Sequence, residues 1–345
     1  MKRWIAAPLT AFLILGSFSR AAAWGGDGHQ AVGKIASLHI KPRTARRLQE
    51  ILKPGETLAS ISTWADDVKD RMGESDPDPD TQAFLQDLAH NEKNREWHYD
   101  DLPLNCASYQ ACHDLTPGND IVHLMEAALQ TLRGVQHPNY PLSQRNALRL
   151  LVHFAGDIHQ PLHMGCGFID ENGPNGTILI VKDPNTVRAK RLPHDRGGNQ
   201  LIIDNNRRNL HSFWDFDLVK SLMTATNKTT SDELGTFLMR NVRRQRDWST
   251  PGHVYTWPVK WANDTLRQSQ RHAYRSVRIT RKRIVPVTRD GQPVMRDGQP
   301  LTSVVYDVTR QAKYETVNRE VVRVQLAKAG FRLAKMLDEI YANER

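Results

Sequence analysis

Thiols are scarce in this chain. Three cysteines among 345 residues, Cys106, Cys112 and Cys166, are too few to staple a disulfide scaffold, so the fold must rest on a buried core. An oxidising compartment permits a Cys106–Cys112 bridge closing a short loop. Cys166 is then odd, either buried or a partner for one of the others. Long apolar runs are equally scarce: beyond the first two dozen residues no window reaches the length needed to span a bilayer. Sustained heptads and low-complexity tracts are missing too, which argues against a coiled coil or a disordered array. Strand signals are few.

What is present starts at the N-terminus. Lys2 and Arg3 precede the apolar stretch AAPLTAFLILG and small residues ending SRAAA, the pattern of a secretory signal peptide (1–23) cleaved after Ala23. The expected destination is export, to a periplasm or outside the cell. The leader holds Lys2, Arg3 and Arg20 and no acid, so the formal charge of +9 falls to +6 on its removal. A moderately basic exported protein suits anionic partners such as nucleic acid or anionic lipid, although basicity alone is unspecific. Cleavage leaves Trp24 first in WGGDGH. Its freed amine and its carbonyl can chelate a metal, with His29 close enough to join them.

The densest chemistry lies at 153–163, HFAGDIHQPLH. On a helix His153 and Asp157 leave the same face one turn apart. His163 falls about 80° around the same cylinder. Imidazoles and a carboxylate so spaced are a ligand set for zinc. The interval repeats in NLHSFWD with His211 and Asp215. STWADDVK sets Asp66 one turn from Lys69, and EWHYDDLP sets His98 beside Tyr99 with Asp101 following. His159 points off the ligand face, and His194 belongs to no evident constellation.

Helical periodicity dominates elsewhere: HQAVGKIASLHI, TARRLQEIL, SISTWADDVKDRM, DIVHLMEAALQTLRG with Asn119 or Asp120 as N-cap, QRNALRLLVHFAGDIH, SDELGTFLMRNV, KWANDTLRQSQRHAYR and the long ETVNREVVRVQLAKAGFRLAKMLDEIY. Pro161 should end or bend the fifth of these. Strands are expected at 177–183, 200–204 and 283–308, the last carrying RDGQP twice as turn chemistry in a peripheral hairpin.

WGGDGH, WAD with a basic residue, WHY, HFAGDIHQPLH, DRGGN and NLHSFWD, in that order from Trp24 to Asp215, together resemble the S1/P1 nuclease family, zinc-dependent single-strand nucleases that include mung bean nuclease. WPVKWAND and AGFRLAKMLDEIY look like that family's C-terminal helices, so the likeness runs over nearly the whole mature chain. It implies a mainly α fold: one helical domain (24–345) of the phospholipase C/P1 nuclease type, with a three-zinc cleft and small β-hairpin insertions near 166–194 and 280–310.

The resemblance further implies one zinc on Asp66, His98, His153 and Asp157. A close second takes the Trp24 amine and carbonyl, His29 and a bridging Asp157, and a third takes His163, His211 and Asp215. Hydroxide held between the paired ions would attack phosphorus in line, with Asp66 orienting it and Lys69 steadying the crowded phosphorus, leaving 5′-phosphates. Tyr99 would stack an unpaired base while Asp101 and Asn199 bond its edge. The implied substrates are single-stranded DNA and RNA and 3′-nucleotides, with no stable membrane insertion and no protein partner. Cys106 and Cys112 resemble a short family disulfide. The segment after His163 is longer than the family's link, and its Lys182, Arg188, Lys190 and Arg191 would widen a polyanion surface. A zinc phospholipase C is the alternative, since it shares the fold and ligand set. It usually closes the third site with glutamate, and Asp215 and the GGN phrase tilt toward nuclease.

Overall fold

The longest helix, Tyr314–Ile340, is buried along most of its length, and in the computed structural model it forms the axis on which Gly25–Ser37 and Gln144–Asp157 are laid. The described residues are 24–342 apart from 116–118, 204–207, 246–247 and 290–291. The expected leader and Asp204 of the expected strand 200–204 therefore lie outside them. The protein is mainly α-helical, with small sheets at one side.

Helix ends follow local chemistry. Asp120 caps Ile121–Leu132 by accepting from the amides of Val122 and His123, and Ser143 caps Gln144–Asp157 through the Asn146 amide. Trp257–Gln268 is tied to the long helix by Asp264, which meets Lys328 Nζ and Arg332 Nη1 each at 2.9 Å. Burial pushes the Asp264 carboxyl up, but the Lys328 and Arg332 charges outweigh it and hold it at about 2. His159 is buried beside Arg332 and Trp261, so it serves this core and not the ligand clusters.

SISTWADDVKDRM, expected as one helix, is two: Leu58–Ile61 and Trp64–Val68. The break takes the Ser62 carbonyl out of the helical ladder and presents it to the His153 ring. A second difference lies after Asp157. Gln144–Asp157 stops there, Gln160 turns extended ahead of Pro161, and His163 sits on a separate short helix, Pro161–Met164. Proline disfavours the helical region at the residue before it, so His163 does not share the His153 cylinder.

The expected strands appear as Leu179–Val181, which pairs with Phe168–Asp170, and Leu201–Ile203. The last region is a long hairpin, Arg278–Pro286 with Thr302–Thr309. Tyr306 and Asp307 also pair in parallel with Leu201 and Ile202, so the hairpin extends the sheet that carries the 195–203 loop. The second RDGQP makes a tight turn with Asp297 and Gly298 at φ 50° and 77°, the signature of a primed hairpin turn. Lys282 Nζ and the Tyr306 hydroxyl reach Glu171 at 2.6 and 2.8 Å, joining this hairpin to the segment after His163. Cys106 and Cys112 form a disulfide, and Cys166 is buried and free.

Candidate metal centre

Asp157 ends its helix fully buried with both oxygens among imidazoles. Oδ1 lies 3.2 Å from His29 Nε2; Oδ2 lies 3.0 Å from His98 Nδ1 and 3.2 Å from His153 Nε2. Those two nitrogens are 3.1 Å from each other. Asp66 Oδ1 completes the ring at 3.9 Å from His98 Nδ1 and 3.8 Å from His153 Nε2. The His29 and His153 rings stack at 3.9 Å, an approach that Gly156 permits: a Cβ there would come within 2.7 Å of His29 Nδ1.

Backbone carbonyls decide which ring nitrogens point inward as lone pairs. His153 Nδ1 faces the Ser62 carbonyl at 2.6 Å, His163 Nδ1 the His98 carbonyl at 2.7 Å, and His211 Nδ1 the Gly197 carbonyl at 2.8 Å. A nitrogen that donates to a carbonyl leaves its ring partner as an acceptor. Each Nε2 therefore meets other acceptors, an arrangement that repels unless a proton or cation lies between.

His163 and His211 pair at 4.9 Å between ring centroids, with His211 Nε2 3.3 Å from Asp215 Oδ2. Asp215 Oδ1 accepts from the Trp24 backbone nitrogen at 3.2 Å and from Gln160 Nε2 at 2.7 Å. The Trp24 indole donates to the Gly156 carbonyl at 2.8 Å, pinning the residue whose freed amine was expected to join the site. Its carbonyl accepts from the Gly28 amide at 3.1 Å, which leaves one lone pair. Gly197, at φ 56°, lets the loop reach the short helix; a Cβ there would stand 2.4 Å from the Leu162 carbonyl oxygen.

Burial opposes charge on His153, but Asp157 and Asp66 outweigh it and raise that ring, while its neighbours shift the other way. Burial lowers His98 to about 4 and His163 to about 3, and burial also lowers His29, so these rings are neutral ligands at ordinary pH. Burial pushes the Asp157 carboxyl up, but the charge on His153 and the hydrogen bonds from His153 and His29 outweigh it and hold it well below the carboxylate range. Burial lifts Asp215 to about 7. His29 Nε2, Asp157 Oδ1, His163 Nε2 and Asp215 Oδ2 are buried without a hydrogen-bond partner, although His29 and Asp157 sit close. Orphaned nitrogens and carboxylate oxygens facing one another are what a divalent cation would satisfy. His29 with Asp66 and His153, His98 with His153 and Asp157, and His163 with His211 and Asp215 each bring ligand atoms within 4.8 Å of one another.

Lys69 Nζ lies 2.6 Å from Asp66 Oδ1, both largely shielded. Tyr99 is half-buried, and burial with Asp101 nearby raises its phenol to about 12. Asp101 Oδ2 meets His194 Nδ1 at 2.7 Å, so His194, expected at the surface or in packing, has a partner from the candidate substrate set. Asn199 spends one amide hydrogen on the Arg196 carbonyl at 2.9 Å. Of the four cations expected to widen a polyanion surface, Arg188 is paired with Asp114 and Lys190 with Asp170. Gln160 was missed altogether. Its place before Pro161 in IHQPL marks a helix cap, but its second contact with Asp215 comes only from tertiary structure.

A family model described as S1/P1 Nuclease matches residues 24–342. Endonuclease 4 of Arabidopsis thaliana is 25% identical over 369 residues, covering 100% of this chain and 97% of its own length. Nuclease P1 of Penicillium citrinum is 24% identical over 326 residues, 93% of this chain and 99% of its own length. Nuclease S1 of Aspergillus oryzae is 25% identical over 333 residues, 92% and 91% respectively.

Proposed function

The chain belongs to the S1/P1 nuclease family, a phosphodiester hydrolase on the strength of that membership and its named relatives, and from that premise we propose that it is a zinc-dependent endonuclease and 3′-nucleotidase acting on single-stranded DNA and RNA. The observation that carries the reading is Asp157, whose two oxygens face His29 on one side and His98 and His153 on the other. One carboxylate so placed would hold two cations, one on each oxygen. Asp66, His98, His153 and Asp157 would hold one zinc; the Trp24 terminus, His29 and Asp157 a second; His163, His211 and Asp215 a third. Bound there, zinc supplies Lewis acidity and lowers the pKa of water toward about 7.

The chain's own groups do the rest. Asp66 orients the attacking water toward phosphorus. Lys69 holds Asp66 in place and brings a positive charge toward the oxygens of the crowded phosphorus, as a point charge and not a bidentate fork. The attacking water gives up its proton to solvent and the departing 3′ oxygen takes one up as a hydroxyl, which leaves a 5′-phosphate. Tyr99 stacks an unpaired base while Asp101 and Asn199 bond its edge, and this requirement for an unstacked base selects single strands. The Trp24 amine becomes available when residues 1–23 are removed on export. No helix among the described residues is long and apolar enough to cross a membrane.

Assays of the purified mature protein on single-stranded DNA, duplex DNA, RNA, 3′-nucleotides and phosphatidylcholine test the reading. Cleavage of single strands to 5′-phosphorylated products supports it. Turnover of phosphatidylcholine alone would replace it with the phospholipase alternative.

A further inference from the structure

Three donors of different kinds meet outside the clusters already described: Asp101, Cys166 and His194 bring a carboxylate, a thiol and an imidazole within 4.8 Å of one another. Backbone pairing builds the meeting. Gly165–Cys166 runs parallel to Leu102–Pro103, which fixes Cys166 beside Asp101, and an isolated bridge between Phe168 and His194 brings His194 across. His194 Nδ1 stands 2.7 Å from Asp101 Oδ2, and the Cys166 thiol donates to the Asp101 carbonyl oxygen at 3.2 Å. Cys166 is fully buried, while the His194 side chain is 44% exposed, so the corner is enclosed on one side and open on the other.

A second observation is independent of these contacts. Asp195 is fully buried and its Oδ2 has no hydrogen-bond partner. That oxygen lies against Gly167, the residue after Cys166, where a Cβ would come within 2.7 Å of it. Burial lifts Asp195 to about 7. Burial also pushes the Cys166 thiol up, reinforced by Asp101, Asp195 and Asp100. Three carboxylates thus bear on one thiol, and His194, raised by its contact with Asp101, is the imidazole that faces them. A hydrophobic filler at position 166 would pack as well without adding a soft donor.

We propose that Asp101, Cys166 and His194 form a fourth cation site, which takes a divalent ion of zinc or cadmium softness with solvent completing its shell. Binding exchanges protons for the cation: the thiol hydrogen, and the hydrogen between His194 and Asp101, pass to solvent as sulfur, nitrogen and oxygen become ligands. The site also engages Asp101. If Asp101 bonds a substrate base, as the proposed function has it, the loaded site raises KM and leaves kcat unchanged.

Cys166 is the one thiol outside the disulfide, which makes the test selective, because the other clusters contain no sulfur. Cadmium titrated into the purified holoenzyme should produce a saturable ultraviolet thiolate-to-cadmium charge-transfer band. Cys166→Ser should abolish the band. His194→Ala, at a part-exposed position that leaves the core intact, should weaken cadmium affinity about tenfold or more. A band that never forms, one that survives Cys166→Ser, or wild-type affinity in His194→Ala would each overturn the site. A cadmium-dependent rise in KM for a 3′-nucleotide, absent in Cys166→Ser, would support the coupling. A normal band with unaltered KM would remove Asp101 from base recognition and leave the cation site standing.

Discussion

Asp157 and its neighbours concentrate the chemistry of this protein on a few atoms, and the residue scale is where it is most easily broken. Replacing Asp157 by alanine removes the carboxylate shared by two ligand groups, so the variant should lose about two zinc ions per molecule and nearly all hydrolysis. Elemental analysis finding the full complement would refute the bridge. Gln160→Leu acts at one remove. It deletes the donor that orients Asp215 and should weaken the third site about 10- to 100-fold in metal affinity or activity, with zinc occupancy of Asp157's pair unchanged. Tyr99→Ala should weaken nucleotide affinity by about 1–3 kcal/mol at constant metal content. Binding equal to wild type would make Tyr99 a packing residue.

At the scale of elements, much was legible because ligand spacing and helical period coincide. His153 with Asp157 and His211 with Asp215 lie one turn apart, as their four-residue intervals imply, the latter pair across a π-type turn at Phe213–Asp217. The misreadings came where the chain leaves the helix. Pro161 cut the cylinder that was to carry His163, and the break at Ser62 divided a segment whose apolar pattern runs on. The carbonyls of Ser62, His98 and Gly197 that set the imidazole tautomers leave no mark in sequence, since every residue has one. His194 was opaque for a different reason: its partner Asp101 is reached only through strand pairing and a bridge across an insertion. The N-terminal element yields its own prediction. Trp24 N lies at Asp215 and its indole is pinned to Gly156, so an uncleaved tag ahead of Trp24 should hold about one zinc fewer than the mature chain. Equal metal content and activity in the tagged protein would take the terminus out of the site.

Across the whole molecule, the clusters tie together distant parts of the chain: Trp24 and Gly25–Ser37, the short Asp66 helix, His98, the Gln144–Asp157 helix, and His211 with Asp215. Cation binding should therefore stabilise the fold, and a chelator should lower the melting temperature. The pH dependence of the chelated protein has a definite sign below about pH 4. His98 and His163 are depressed to about 4 and about 3 from 6.5, so between 6.5 and those values the unfolded chain takes up protons that the folded chain refuses. These two groups lose stability as pH falls, by roughly 1.4 kcal/mol per unit each, while Asp215 and Asp195, lifted to about 7, gain by a similar amount between about 7 and 3.8, where the folded chain binds protons that the unfolded chain does not. Asp264, depressed to about 2 from 3.8, extends the loss at lower pH, its contribution being complete above 3.8 and gone below about 2. A melting temperature that stays level from pH 4 to 2 in chelator would contradict this. The most direct measurement of all is an anomalous-scattering map collected at the zinc edge from crystals of the mature protein. The account predicts three peaks: a close pair flanking Asp157 and a third among His163, His211 and Asp215. Fewer than two peaks there under zinc-replete conditions, or peaks only elsewhere, would contradict it.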